Sequence, residues 1–296
     1  MQLIQLVING LVNGVIISLA AVGISLTYGV LKLINFAAGD YLTFSAYLVA
    51  SLTVSFHVPL LISIVIGMIT LAVFSVFIDF VLWKRLRKKR AGQLAQFLSA
   101  IGLSFILRQM ISLFYGPDNK SFPIDFVKQY HIGSLQISHV EFNIFVVSMI
   151  AMTVLIIFLS RTSMGKSMRA YSDNPSLASV SGVNVERVIL VTWIISGLLG
   201  ALAGVFQGMA QSSFLVDMGW QLQLSVFAAV VLGTIGNAYG AMIGGLVIGV
   251  LMNVATWSGF FGGVSGAYMN MVAFVTLILC LLFRPQGFFG FKSRGI

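Results

Sequence analysis

Apolar residues run along this chain in blocks of roughly twenty, the length a helix needs to cross about 30 Å of hydrocarbon. Short polar interruptions separate the blocks. They predict helices over residues 5–28, 38–56, 59–82, 94–115, 140–160, 188–210, 222–236, 240–257 and 266–283. The expected fold is therefore all-α, a polytopic transmembrane bundle of eight or nine spans forming one domain over residues 1–296. The uncertain count lies in residues 222–257, where "GTIGNAYGAMIGG" breaks the apolar pattern and allows two short crossings or a re-entrant pair. The first block has no basic residues before it and no small-residue cleavage site after it, so it is expected to stay as a membrane helix.

Composition supports lipid as the solvent. Hydrophobic residues make up 58% of the chain and charged ones 8%, with a mean hydropathy of +1.01. A water-soluble core could not hide that much apolar surface. The net charge of +9 gathers at span ends, which argues for membrane orientation and against nucleic acid as a partner. Six of the seven residues in "KRLRKKR", 84–90, are basic. Arg161, Lys166, Arg169 and Arg187 flank a second polar segment, and Arg284, Lys292 and Arg294 mark the tail. Residues 116–141 instead balance Lys120 and Lys128 against Asp118, Asp125 and Glu141, as an outward loop would. Counting spans between these markers places the N-terminus outside and the C-terminus in the cytoplasm.

Small residues recur at four-residue spacing, which lets helix backbones approach closely in lipid. Ser196, Gly200, Gly204 and Gly208 form one row, Gly236, Gly240 and Gly244 a second. Gly10 with Gly14 and Gly245 with Gly249 add two pairs. These rows predict a tightly packed bundle.

The chain carries no HExxH, no GxSxG and no GxxxxGK[ST] phosphate loop. His57, His131 and His139 fall in or beside predicted external turns, and the single Cys280 excludes a disulfide framework or a cysteine-ligated metal. No catalytic residue, metal ligand or resident cofactor is expected, and any energy for pumping must come from another chain or an ion gradient. Ionisable groups within the spans are few: Asp40, Asp79 and Arg108. Asp79 is close enough to the Lys84 cluster to pair there. Arg108 either snorkels outward or faces the bundle interior, and the sequence leaves both open.

Two polar stretches stand out. "LTYGVLKLINFAAGDY", residues 26–41, places Lys32, Asn35, Gly39 and Asp40 between two very apolar blocks. Asn35, Gly39 and Asp40 are expected to break two helices inside the bundle, where polar groups line a substrate pathway or its gate. The alternative is a structural break sealed by contacts between Lys32 and Asp40. The second stretch, residues 161–187, has helix grammar: Asp173 or Asn174 to cap, Pro175 in the first turn, Gly182 to stop. A short helix with Ala178, Val180 and Val183 exposed at the cytoplasmic surface needs a partner to cover it.

The motif "LTYGVLKLINFAAGDYLTFSAY" resembles the first signature of permease subunits of branched-chain amino acid ABC importers, the hydrophobic amino acid uptake family. Three further pieces match in order: residues 164–184, "SGLLGALAGVFQG" at 196–208 and "VVLGTIGNAYGAMIGGLVIGV" at 230–250. The tail "RPQGFFG" is similar to the family's ending. The resemblance implies a multi-pass subunit of the bacterial inner (plasma) membrane that moves branched-chain and other neutral amino acids. Its implied partners are a second homologous permease, two cytoplasmic ATPase subunits that use the ATP, and an extracytoplasmic substrate-binding protein. It also implies a coupling segment that docks on the ATPase, here Arg169, Asn174, Pro175, Ala178 and Gly182. Ser176 stands where an acidic residue often precedes the Ala, which weakens any salt bridge there. Urea and short-amide importers use similar permeases, and a stand-alone small-solute channel or a structural scaffold are the readings from other classes.

Overall fold

Helix α1 (Gln2–Leu31) is the axis of the bundle: 72% of its most apolar stretch is buried by other helices. In the computed structural model, residues 2–123, 129–132, 135–211, 213–257, 265–284 and 286–288 are described. Asp125 and Lys128 of the expected outward loop lie outside them, as do Pro285, Phe289, Gly290, Lys292 and Arg294 of the tail.

Each of the nine predicted apolar runs has its helix. After α1 come α2 (Ala38–Val54), α3 (Leu60–Ile78) continued by a π-helical turn (Asp79–Trp83) into α4 (Lys84–Lys88), and α5 (Gln93–Tyr115). A hairpin of β1 (Gln129–Ile132) and β2 (Leu135–Ser138) leads into α6 (His139–Arg161). Two short helices, α7 (Ser163–Asp173) and α8 (Pro175–Val180), precede α9 (Val185–Ala210). Last come α10 (Met218–Leu232), α11 (Ala238–Val254) and α12 (Met269–Phe283). Five of these helices, counting α3 and α4 as one, are long and apolar enough to cross a membrane unaided.

Burial separates inner from outer helices. Helix α3 shows why: Leu61, Val65, Ile69 and Val73 form an exposed stripe at four-residue spacing, while Ser63, Gly67, Leu71 and Ser75 face inward. One apolar face left bare and a small-residue face turned to the bundle is the pattern of a helix solvated by lipid. Helices α5 and α6 are equally exposed, with 28% of their apolar stretches buried, against 61% for α9.

Close backbone approach holds the centre together. Helix α11 lies antiparallel along α1: a Cβ on Gly10 would sit 2.7 Å from Val250 Cα, and one on Gly14 2.9 Å from Leu246 Cα. Ser18 Oγ donates to Met242 O at 2.7 Å on the same seam. The interrupted region thus forms two distinct helices joined by residues 233–237. The glycine rows are partly as expected. Gly204 abuts the Leu42 backbone, Gly208 the Phe122 and Phe214 rings, Gly240 the Gly233 backbone and Gly244 the Ala229 backbone. Gly200 has only ordinary contacts with the Leu42 and Leu71 side chains. Gly236 is a correction: it lies in the turn with φ of +88°, not on a helix face, because Asn237 caps α11 just after it.

Asp79 pairs within the basic cluster as expected, with Arg87 donating to both its oxygens at 2.7 and 3.0 Å. Trp193 Nε1 adds a third bond to Asp79 at 2.7 Å, tying the π-helical turn to α9.

Candidate functional site

The chain leaves α1 at Lys32, whose φ of +53° turns the backbone sharply. Its Nζ donates to Ser172 O, 3.2 Å away at the end of α7. Residues 33–35 belong to no helix or strand, and Asn35 accepts Ala37 N–H on its side-chain oxygen at 3.1 Å just before α2 begins. A Cβ on Gly204 of α9 would strike the Leu42 backbone, which sets the start of α2 well along α9, about three quarters of the way from its N-terminus at 1.5 Å rise per residue. Helix α2 therefore begins within the depth of the bundle, and the break carries the chain there from the end of α1.

Such a break leaves backbone groups that lipid cannot satisfy. Gln223, on α10 and 2% exposed, satisfies them. Its Nε2 donates to Phe36 O at 2.9 Å and more weakly to Asn35 O at 3.4 Å, and its Oε1 accepts Gly39 N–H. Gly39 and Gly219 cross with no room for a Cβ on either, and Gly219 N donates to Thr43 Oγ1 at 3.0 Å. The Phe36 ring is wedged between Phe97 at 4.9 Å and Phe227 at 4.8 Å.

Asp40, fully buried, takes its partners from α5. Arg108 Nε donates to Oδ1 at 3.0 Å, Ser104 Oγ donates to Oδ2, and the guanidinium lies 4.7 Å from the Trp220 ring centroid. Arg108 thus faces the interior, deciding what the sequence left open. Burying both charges is costly in lipid, and the pair with its hydroxyl and aromatic neighbours offsets that cost only because all are in place together.

Of the three residues expected at the pathway or gate, Gly39 and Asp40 lie in the first turn of α2 and Asn35 just before it. They do not line an open cavity here. Asn35 and Asp40 are 3% and 0% exposed, and the backbone around Asn35 and Gly39 is paired by Gln223. A Lys32 to Asp40 seal is not formed either, since Lys32 reaches α7 while Asp40 reaches α5. Gln223, Ser104 and Trp220 were not anticipated. A lone Gln inside an apolar run is the signal that could have found the first, because a carboxamide in lipid needs a partner.

The second candidate stretch forms the expected helices. Asn174 Oδ1 accepts Leu177 N–H at 3.0 Å, Pro175 occupies the first turn, and Gly182 takes φ of +85° after the last. Ala178 is a correction: it is 4% exposed, while Leu177 and Val180 are 64% and 86% exposed. Val183 N–H closes back onto Ala178 O, folding the chain over that side of α8, and Val183 packs against the core. Arg169 donates to Leu159 O in the last turn of α6, so its guanidinium fixes α7 to α6. Ser172 is doubly bound to the break: its Oγ donates to Gly29 O at 3.0 Å and its carbonyl accepts Lys32 Nζ. Beside it, Leu26, Gly29, Lys32, Arg169, Gly236 and Asn237 line a cavity of 580 Å³.

Comparison with known proteins agrees with this architecture. A family described as "Branched-chain amino acid transport system / permease component" matches residues 6–281. The high-affinity branched-chain amino acid transport system permease protein BraD of Pseudomonas aeruginosa is 32% identical over 300 residues, 97% of this chain and 95% of that one. The corresponding protein LivH of Escherichia coli is 30% identical over the same shares. Among solved structures, PsaBC from Streptococcus pneumoniae in complex with Fab aligns with a TM-score of 0.51 at 12% identity, covering 94% of this chain and 91% of that one, a likeness of fold.

Proposed function

Since the chain belongs to the family of branched-chain amino acid transport permease components, a family of transport subunits and not enzymes, we propose that it carries branched-chain and other neutral amino acids inward under ATP power. Its N-terminus lies outside and its C-terminus in the cytoplasm of a bacterial inner membrane. A second homologous permease completes the pathway, an external binding protein delivers the substrate, and two cytoplasmic ATPase subunits bind and hydrolyse ATP.

The observation that carries the coupling is the double attachment of Ser172. Leu177 and Val180 offer an exposed apolar surface on α8 for the ATPase, while Ala178, buried beneath, sets the helix on its support. Asn174, Pro175 and Gly182 fix the start and stop of that helix. Arg169 holds α7 to α6, and Ser172 passes a displacement of α7–α8 to Gly29 and Lys32, at the start of the break. The break at Asn35, Gly39 and Asp40 is then the gate, closed in this conformation. Opening it requires Gln223 to release Phe36 O and Gly39 N–H.

Leucine uptake by the full complex in proteoliposomes tests the reading. Val180→Asp, on an exposed surface, should leave the permease assembled and folded while lowering leucine uptake and leucine-stimulated ATP hydrolysis at least tenfold. Normal uptake in that variant, or leucine flux through the isolated subunit without ATP, refutes the coupling role.

A further inference from the structure

Between α1, α9, α10, α11 and α12 lies a second cavity, of 310 Å³. Its polar lining is all carboxamide: Asn13, Gln207, Gln211, Gln221 and Asn270. No lysine, arginine, aspartate or glutamate lines it, and Ile17, Leu222 and Met252 supply apolar wall. Four of the amides come from helix ends, the last turn of α9 and the residue after it and the first turns of α10 and α12, and Asn13 comes from within α1. Two are held in place, Gln221 Nε2 donating to Asp217 Oδ2 at 2.7 Å and Asn270 Oδ1 accepting from Ser225 Oγ at 3.3 Å. Among the described residues, Asn13, Gln207 and Gln211 have no side-chain hydrogen-bond partner, which leaves their amides available to the cavity they line.

Carboxamides in a lipid-embedded helix are expensive unless a neighbour or a solute pairs them. Of the five around this space, which falls within the roughly 300–1,000 Å³ range of small-ligand pockets, Asn13, Gln207 and Gln211 are left to pair with such a solute. We infer that this cavity is a transit subsite for a zwitterionic amino acid with an aliphatic side chain. The inference rests on the amino acid reading above. Amide oxygens accept from the ammonium, amide N–H groups donate to the carboxylate, and the apolar wall takes the side chain. Without an opposing formal charge the site holds the zwitterion weakly enough to release it, and it offers no counter-charge to lysine or glutamate.

The test uses a reporter at Ala210, which lines the cavity without supplying an amide. Ala210→Cys is made with Cys280→Ser, and the assembled complex in nanodiscs is treated with a small maleimide. Leucine and valine should slow labelling at least threefold, whereas lysine, glutamate and urea at equal concentration should not. Adding Gln207→Leu should abolish protection while leaving the unprotected rate unchanged, a control for folding. Labelling indifferent to leucine in a complex that still transports leucine overturns the subsite and leaves the importer reading intact. Protection by urea but not leucine overturns the aliphatic class. A complex that moves no leucine at all, yet shows leucine protection, supports the subsite and counts against the transport reading.

Discussion

Replacing Gln223 by Leu keeps the side-chain volume close and removes the carboxamide that spans the break. Two backbone groups, the buried Gly39 N–H and the partly buried Phe36 O, then lose their partner. Leaving a buried donor or acceptor unpaired costs about 1–3 kcal/mol, so the closed break should be weakened by about 2–6 kcal/mol for the two groups together. At 1.36 kcal/mol per factor of ten, the lower bound is about a thirtyfold rise in the population of the opened segment. Hydrogen exchange reads that population residue by residue. In the purified permease, amides of residues 36–41 should exchange at least thirtyfold faster in Gln223→Leu, while those of α6, which does not touch the break, stay as they were. Gln223→Met, likewise without a carboxamide and close in volume, should have the same effect. Unchanged exchange over residues 36–41 in both variants would mean that Gln223 does not hold the break closed, and the gate assignment would fall with it.

Arg108→Leu strands the Asp40 carboxylate without its guanidinium and should cost about 3–5 kcal/mol, seen as a lower unfolding temperature of the purified permease. Asp40→Asn combined with Arg108→Leu should regain part of that loss, and a double variant no better than the single would show the pair is not the source. At the helix crossings, Gly204→Ala drives a methyl into the Leu42 backbone and should destabilise by about 1–3 kcal/mol, whereas Gly200→Ala, with a Cβ no closer than 3.6 Å to a neighbour, should be neutral or stabilising. Equal thermal shifts for the two would contradict the packing described. Ser172→Ala removes the hydroxyl that reaches Gly29 O, and should lower leucine uptake per ATP hydrolysed several-fold while leaving assembly unchanged. An unaltered ratio of transport to hydrolysis would exclude Ser172 as the link.

Hydropathy and charge placement were enough to find every apolar helix of the bundle, because crossing lipid demands a run of fixed length whatever the neighbours are. Local hydrogen-bond grammar was equally readable in α8, whose cap, first-turn Pro and terminal Gly act within a few residues of one another. Side-chain partners at long range were not. Whether Arg108 met lipid or Asp40 depended on α2 and α5 packing together across 68 positions of sequence. The exposure expected of Ala178 failed because the chain after Gly182 folds back over it, and Gly236 left its row because residues 233–237 form the turn between α10 and α11. The sequence alone determined where the apolar helices lie, to within a few residues at each end. Only the tertiary structure decided that Gln223 seals the break and that five amides share one cavity, since those depend on which helix faces which, and in lipid that is set by small-residue fit and polar pairing, not by apolar pattern.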